Sequence, residues 1–164
     1  MGDRRYQSGF TIYELMLTVA VAILLAALGV PALNESIANN RATTYTNDMV
    51  TTLNLARSEA TRRRVPITVC ASVDSINCSG AADWSSGWVI RSAAGNLIQA
   101  WPALNSPGIL NGNVNSIQFE PVGSITAGAA PQFALQMPKC NGDNRRVLTI
   151  SAAGRIAVDT LTCT

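Results

Sequence analysis

The chain has 164 residues, enough for one ordinary domain and short for two. Apolar residues make up 48%, aromatic residues 5% and charged residues 13%, with a net charge of +2. That is a globular composition with a membrane bias, and it excludes a disordered chain or a basic nucleic-acid tail. Histidine is absent, which removes serine or cysteine triads with His, His-ligated zinc and haem with an axial His. Eleven of the 12 cationic residues are Arg and the other is Lys139, so lysine chemistry would rest on one side chain. The expectation is a protein that is not an enzyme, with no cofactor and no small-molecule substrate.

Residues 15–33 carry no charge, and Thr18 is the one polar side chain among them. As a helix at ~1.5 Å per residue, this run is roughly 28 Å long, close to the ~30 Å hydrocarbon core of a bilayer. Arg4 and Arg5 precede it, which keeps the N-terminus cytoplasmic and sends the remainder to the far side. An ordinary secretory signal, cut near Ala26-Ala27 or Ala32, is the competing reading. Glu14 stands at the edge of the apolar run, where a carboxylate near a membrane-helix centre costs about 2.5–3.5 kcal/mol. If the chain starts at Met1, Glu14 can snorkel to the headgroups; if it is cut before Phe10, the carboxylate lies one turn from a new amino terminus. Pro31 removes a helical N–H and clashes with the Ala27 carbonyl, and Gly29 lowers helix propensity further, so a kink or local melting is expected there.

The string Gly9-Phe10-Thr11-Ile12-Tyr13-Glu14-Leu15-Met16, after a short basic leader, resembles the class III signal of type IV pilins and type II secretion pseudopilins. The resemblance implies cleavage after Gly9 by a prepilin peptidase/N-methyltransferase, methylation of Phe10, and an assembly role for Glu14. Tyr13 departs from the usual aliphatic residue. A carboxylate in lipid needs a positive partner, and the N-terminus of a neighbouring subunit is a suitable one. The resemblance also implies a bend at Pro31.

Beyond the apolar run, Leu33, Ile37, Tyr45, Met49, Leu53, Ala56 and Ala60 form one apolar stripe at helical spacing. The helix is expected to end near Arg64, because Pro66 disfavours a helical Val65. Arg62, Arg63 and Arg64 read as cations capping the helix dipole, with a nucleic-acid patch as the sharper alternative. Short strands follow at 67–69, 87–90, 97–101, 116–119, 132–136 and 147–150, with a hairpin turn at Ala94-Gly95-Asn96 and a loop from Pro102 to Asn115. One long helix followed by strands predicts an α+β fold with a mostly antiparallel sheet. Leu55-Ala56-Arg57-Ser58-Glu59-Ala60, Val65-Pro66-Ile67-Thr68-Val69-Cys70, Trp84-Ser85-Ser86-Gly87-Trp88-Val89, Ile117-Gln118-Phe119 with Gly123, and Arg145-Arg146-Val147 through Gly154-Arg155-Ile156 resemble the H-type pseudopilin/FimT/FimU family over nearly the whole chain. Trp84 and Trp88 read as core groups rather than as a ligand platform.

Four cysteines lie on the exported side, where oxidation is expected, and three pairings can be drawn. Asp74, Ser75 and Asn77 suit a small loop closed by Cys70–Cys78. Cys140–Cys163 would then close a 24-residue loop, contributing on the order of 3 kcal/mol. Zinc is the alternative, disfavoured without His or a C-x-x-C pair, so no metal is expected. Arg145, Arg146 and Arg155 are the candidate DNA contacts. FimT pilins carry a Gly-Arg-x-Arg motif, whereas Gly154-Arg155-Ile156-Ala157 lacks the second arginine, and each lost cation weakens phosphate binding. Arg155 is otherwise expected as a strand-end or turn residue contacting a carboxylate such as Asp159.

Together these readings give a leader at 1–9, a transmembrane half-helix at 10–33, and a head at 34–164 with an amphipathic half-helix at 34–64 and a β-rich region at 65–164. The resemblance implies a minor type IV pilin that primes assembly and enters the fibre with other minor and major pilins, serving adhesion and twitching motility. It would wait in inner-membrane lipid with its head in the periplasm, then move to the pilus, at the tip. A DNA-binding competence pilin and a type II secretion minor pseudopilin are the alternatives.

Overall fold

Thr11 opens a long helix. The protein is described here by a computed structural model covering residues 10–105, 108–126, 130–138 and 145–163, with the side chains of 28–32 outside that description. The Thr11 hydroxyl accepts the backbone N–H of Glu14 at 3.2 Å, the N-cap geometry of a Thr-x-x-Glu sequence. Helix α1 runs Ile12–Arg63, and its helical backbone continues past Gly29 and Pro31. At the far end Arg64 takes φ +57°, a left-handed cap, and its N–H reaches the Ala60 carbonyl at 2.9 Å. Pro66 then keeps the chain out of the helical region, as expected.

The chain divides into two units, one up to Ile37 and one from Ala38 onward. In the first, every described side chain is exposed, the large apolar ones from 82% at Ile12 to 47% at Val21. Among the described residues no helix is long and apolar enough to cross a membrane. The uncharged run in the sequence extends through 28–32, whose side chains lie outside the description.

In the second unit Ala42, Thr46, Met49, Leu53, Ala56 and Ala60 recur at alternating spacings of four and three, and all are buried. Leu33 and Ile37 were assigned to this stripe from their spacing, but they are 63% and 48% exposed and belong to the first unit, which contains no sheet to cover them.

The strands are β1 (Ile67–Ala71), β2 (Trp88–Ser92), β3 (Leu97–Trp101), β4 (Ile109–Gly112), β5 (Ser116–Phe119), β6 (Ile125–Thr126), β7 (Gln132–Gln136), β8 (Arg145–Ile150) and β9 (Ile156–Leu161). They form a five-stranded sheet, β3-β2-β1-β5-β6, and a four-stranded sheet, β4-β7-β8-β9, with antiparallel pairing throughout. Ile67, Val69, Ile90, Ile117 and Phe119 from the first sheet, and Leu110, Phe133, Leu135, Leu148 and Ile150 from the second, join the α1 seam in one core. The fold is α+β.

Three strands depart from the sequence reading. β4 lies inside the stretch read as a loop, where its Asn-Gly ending masks a pairing made with distant β7. β6 has two residues and leaves no periodicity to read. β9 is an edge strand, exposed along most of its length, so it lacks the apolar alternation that marks a half-buried strand.

Candidate functional site

The processing motif is partly visible. Gly9 lies outside the described residues, Phe10 is 81% exposed, and Glu14 sits in the first turn of α1 with its side chain toward solvent. The Thr11 cap orients that turn. Sequence reading passed over Thr11, although its spacing to Glu14 is itself a capping-box signal.

Near the other end of α1, Arg57 touches both turns that close the sheets. Its Nη2 donates to the Ala153 carbonyl at 3.1 Å. Gly154 has φ +73°, and a Cβ there would meet the Gly123 carbonyl oxygen at 2.3 Å. Gly123 has φ +82°, and a Cβ there would stand 3.1 Å from the Arg57 Nε. The Ile125 N–H reaches the Ala152 carbonyl at 3.0 Å. The turn before β6 and the turn before β9 therefore rest on each other against the Arg57 side chain, joining the two sheets at one end. Sequence spacing gave no role to Arg57, because its partners are 66 and more residues away.

Cys70 and Cys78 form a disulfide with Cα atoms 5.5 Å apart. Within the loop, Asp74 Oδ1 accepts the N–H of Ile76 at 2.9 Å, the N–H of Asn77 at 2.7 Å and the Ser72 hydroxyl at 3.0 Å, while Oδ2 accepts the Asn77 amide at 2.8 Å. Those backbone donors above all hold the Asp74 carboxyl well below the usual carboxylate range. Arg91 ties the loop to the sheet, donating to Asn77 Oδ1 at 2.9 Å and to the Gly95 carbonyl at 2.6 Å. Cys70 and Val89 are register partners on the sheet face away from Ile67 and Val69, yet both are fully buried. Cys163 is disulfide-bonded too. Its expected partner, Cys140, lies outside the described residues, as does Lys139.

Two of the three arginines at the helix end, Arg62 and Arg63, share one carboxylate, while Arg64 is exposed. Glu59, 8% exposed, accepts a bidentate pair from Arg62, with Nη2 at 2.6 and 2.8 Å, and a further bond from the Arg63 Nε. The Arg63 and Arg62 bonds lower the Glu59 pKa. The helix-end reading fits this geometry.

The C-terminal arginines are dispersed. Arg145 and Arg146 are consecutive in β8, so their side chains leave opposite faces of the sheet. Arg146 shares the face of buried Leu148 and Ile150, and its Nη2 reaches Asn39 Oδ1 at 2.7 Å. Arg155 lies beyond the far end of β8, in the turn where its N–H meets the Ser151 hydroxyl at 3.2 Å. The turn position matches the expectation, but the contact with Asp159 does not: no ion pair joins them among the described residues. Asp159 pairs in register with Val147, four residues of extended strand from Arg155.

The tryptophans are core groups. Trp84 is fully buried, its Nε1–H donates to the Val114 carbonyl at 3.0 Å, and its ring meets Phe133 edge-on at 4.8 Å. Trp88 is 1% exposed and donates to the Thr52 hydroxyl at 2.9 Å; that hydroxyl in turn donates to the Asp48 carbonyl at 2.7 Å. Among the described residues no group of three or more His, Cys, Asp or Glu is placed to hold a metal ion.

Comparison with known proteins agrees with this architecture. The chain is similar to the type IV minor pilin FimU of Pseudomonas aeruginosa, with a TM-score of 0.61 and 25% identity over 73% of this chain and 89% of that one. It shares the fold of the minor pseudopilin EpsH from the type 2 secretion system of Vibrio cholerae, with a TM-score of 0.53 and 13% identity over 73% of this chain and 97% of that one. No curated protein sequence matches significantly. The sequence model of the family described as type II transport protein GspH matches residues 45–154, two thirds of the chain, and the protein belongs to that pilin-like family.

Proposed function

We propose that this protein is a minor type IV pilin, a structural subunit that primes pilus assembly and enters the fibre with other minor and major pilins. The observation that carries the reading is the Gly9-Phe10 junction ahead of a helix that has Glu14 in its first turn and whose described side chains are all exposed as far as Ala27. Those apolar side chains need lipid before assembly and neighbouring helices after it. In this reading prepilin peptidase cuts after Gly9 and methylates Phe10, the head faces the periplasm, and the helix holds the subunit in the inner membrane until extraction. Glu14 pairs with the amino terminus of an adjacent subunit, Gly29 and Pro31 let the packed helix bend, and Cys140–Cys163 closes the C-terminal loop. Glu14→Ala is expected to leave membrane insertion intact and to deplete the subunit from sheared fibres; normal incorporation would contradict this.

A second reading, a minor pseudopilin of type II secretion, is supported by the description of the family and by the EpsH-like fold. Deletion of the gene separates the two. Loss of surface pili with intact protein secretion supports the first reading, and lost secretion with intact pili supports the second. A DNA-binding role loses support from the dispersal of Arg145, Arg146 and Arg155 over two faces and two ends of the sheet.

A further inference from the structure

Two sheets have four outer strands, here β3, β6, β4 and β9. An outer strand offers a row of unpaired N–H and C=O groups, and native proteins usually blunt it. Three of these are blunted. In β6, the Ile125 N–H is taken by the Ala152 carbonyl at 3.0 Å. β4 is bridged through Asn111 to Asp83, and its Gly112 N–H reaches the Ala82 carbonyl at 2.9 Å. β3 pairs with β2 through a register irregularity between Ile90 and Arg91, and such a bulge twists an edge away from regular pairing.

β9 has none of these devices. It keeps an unbroken register with β8 over all six residues, contains no Pro, Gly or Lys, and among the described residues has β8 as its one strand neighbour. The direction of its free groups follows from two hydrogen bonds. The Ser151 N–H reaches the Arg155 carbonyl at 2.9 Å, and the Ile150 N–H turns the other way, to the Pro131 carbonyl at 3.0 Å. Alternation from these points aims the backbone of Ala157, Asp159 and Leu161 at β8, and that of Val158 and Thr160 outward. Val158 and Leu161 are each 43% exposed and stand on opposite faces, so an added strand would cover apolar surface on both.

We infer that the free edge of β9 accepts, by strand addition, an extended segment of a different subunit of the same assembly, with a basic residue beside Asp159. Asp159 is the one charge on the strand, and it has no ion pair among the described residues. It also argues against a second copy of this chain. Paired edge to edge with a second copy, β9 would set no basic residue beside Asp159, because its six residues Ile156–Leu161 include none. The inference rests on the reading of the chain as an assembly subunit.

The test uses the full chain in its host, with the photo-crosslinking residue p-benzoylphenylalanine at position 160 or, as a control on the interior strand β5, at position 118. Position 160 is expected to capture a different subunit in sheared fibres, or in the secretion complex, about tenfold more than position 118. Thr160→Pro removes one outward N–H without touching the β8 ladder, and Asp159→Lys reverses the recognised charge. Each is expected to lower incorporation about tenfold, as for the loss of one or two hydrogen bonds, with the melting temperature held. Thr160→Val is expected to incorporate normally. If the wild-type chain assembles but position 160 captures no more than position 118, or captures a second copy of this chain, the inference is overturned whatever the substituted chains do. If the wild-type chain enters neither assembly, the reading beneath it fails instead.

Discussion

Gly154 tests the joint between the two sheets. Gly80 and Gly154 share a φ of +73°, but a Cβ at Gly80 meets nothing within 4 Å. Gly80→Ala therefore carries only the cost of a left-handed L-residue, about 1–2 kcal/mol, offset by ~0.4–1 kcal/mol from the stiffer unfolded chain. A loss of about 1 kcal/mol is expected. Gly154→Ala carries the same backbone cost and adds a methyl group 2.3 Å from the Gly123 carbonyl oxygen, where backbone meets backbone and no side chain can swing aside. Overpacking adds about 1–3 kcal/mol. Separating the turns strains the Ile125–Ala152 and Arg57–Ala153 hydrogen bonds, at ~0.5–1.5 kcal/mol each. The total is about 3–7 kcal/mol. For a head of this size each kcal/mol lowers the melting temperature by about 4 °C, so the loss should be about 12–28 °C for Gly154→Ala and about 4 °C for Gly80→Ala. Thermal and urea unfolding of residues 38–164, followed by circular dichroism, measures both. Equal losses at the two positions would refute the turn-on-turn contact.

Two further outcomes concern the same head. Cys78→Ser opens the nine-residue loop closed by Cys70–Cys78, and loop entropy sets a loss of about 2.6 kcal/mol; urea unfolding with an unchanged midpoint would show that the loop holds itself through Asp74. Glu59, Asp74 and Glu120 all have folded-state pKa values lowered by hydrogen bonds, with Arg63 and Arg62, with the Asn77 and Ile76 amides, and with Thr126 and Gln118 respectively. Each then contributes stability that is fully present above its unfolded pKa and is lost as pH falls through the lower folded value. Urea midpoints should be flat from neutrality to about pH 4.5 and fall below that; a midpoint that rises on acidification would contradict the assignment.

The seam of α1 was legible because Met49, Leu53, Ala56 and Ala60 repeat at helical spacing and are all buried. The strands that alternate, such as β5 and β7, were legible for the same reason. Local chemistry also gave the helix stop, where Pro66 and the left-handed Arg64 act within three residues of the last helical turn. What could not be read depends on distant partners. β4 exists through β7, and Arg57 acts through turns at 123 and 154. Thr52 is buried in the seam because the Trp88 indole donates to it from 36 residues away. The C-terminal arginines read as a cluster in one dimension, but strand alternation sends Arg145 and Arg146 to opposite faces.

The central claim is that a leader is removed to give a chain beginning at an assembly-competent phenylalanine one turn before Glu14. Intact-mass and N-terminal peptide mass spectrometry of the protein purified from its host tests it most directly. The account predicts a single species starting at N-methylated Phe10. A species starting at Met1, or just beyond Ala27 or Ala32, would contradict it.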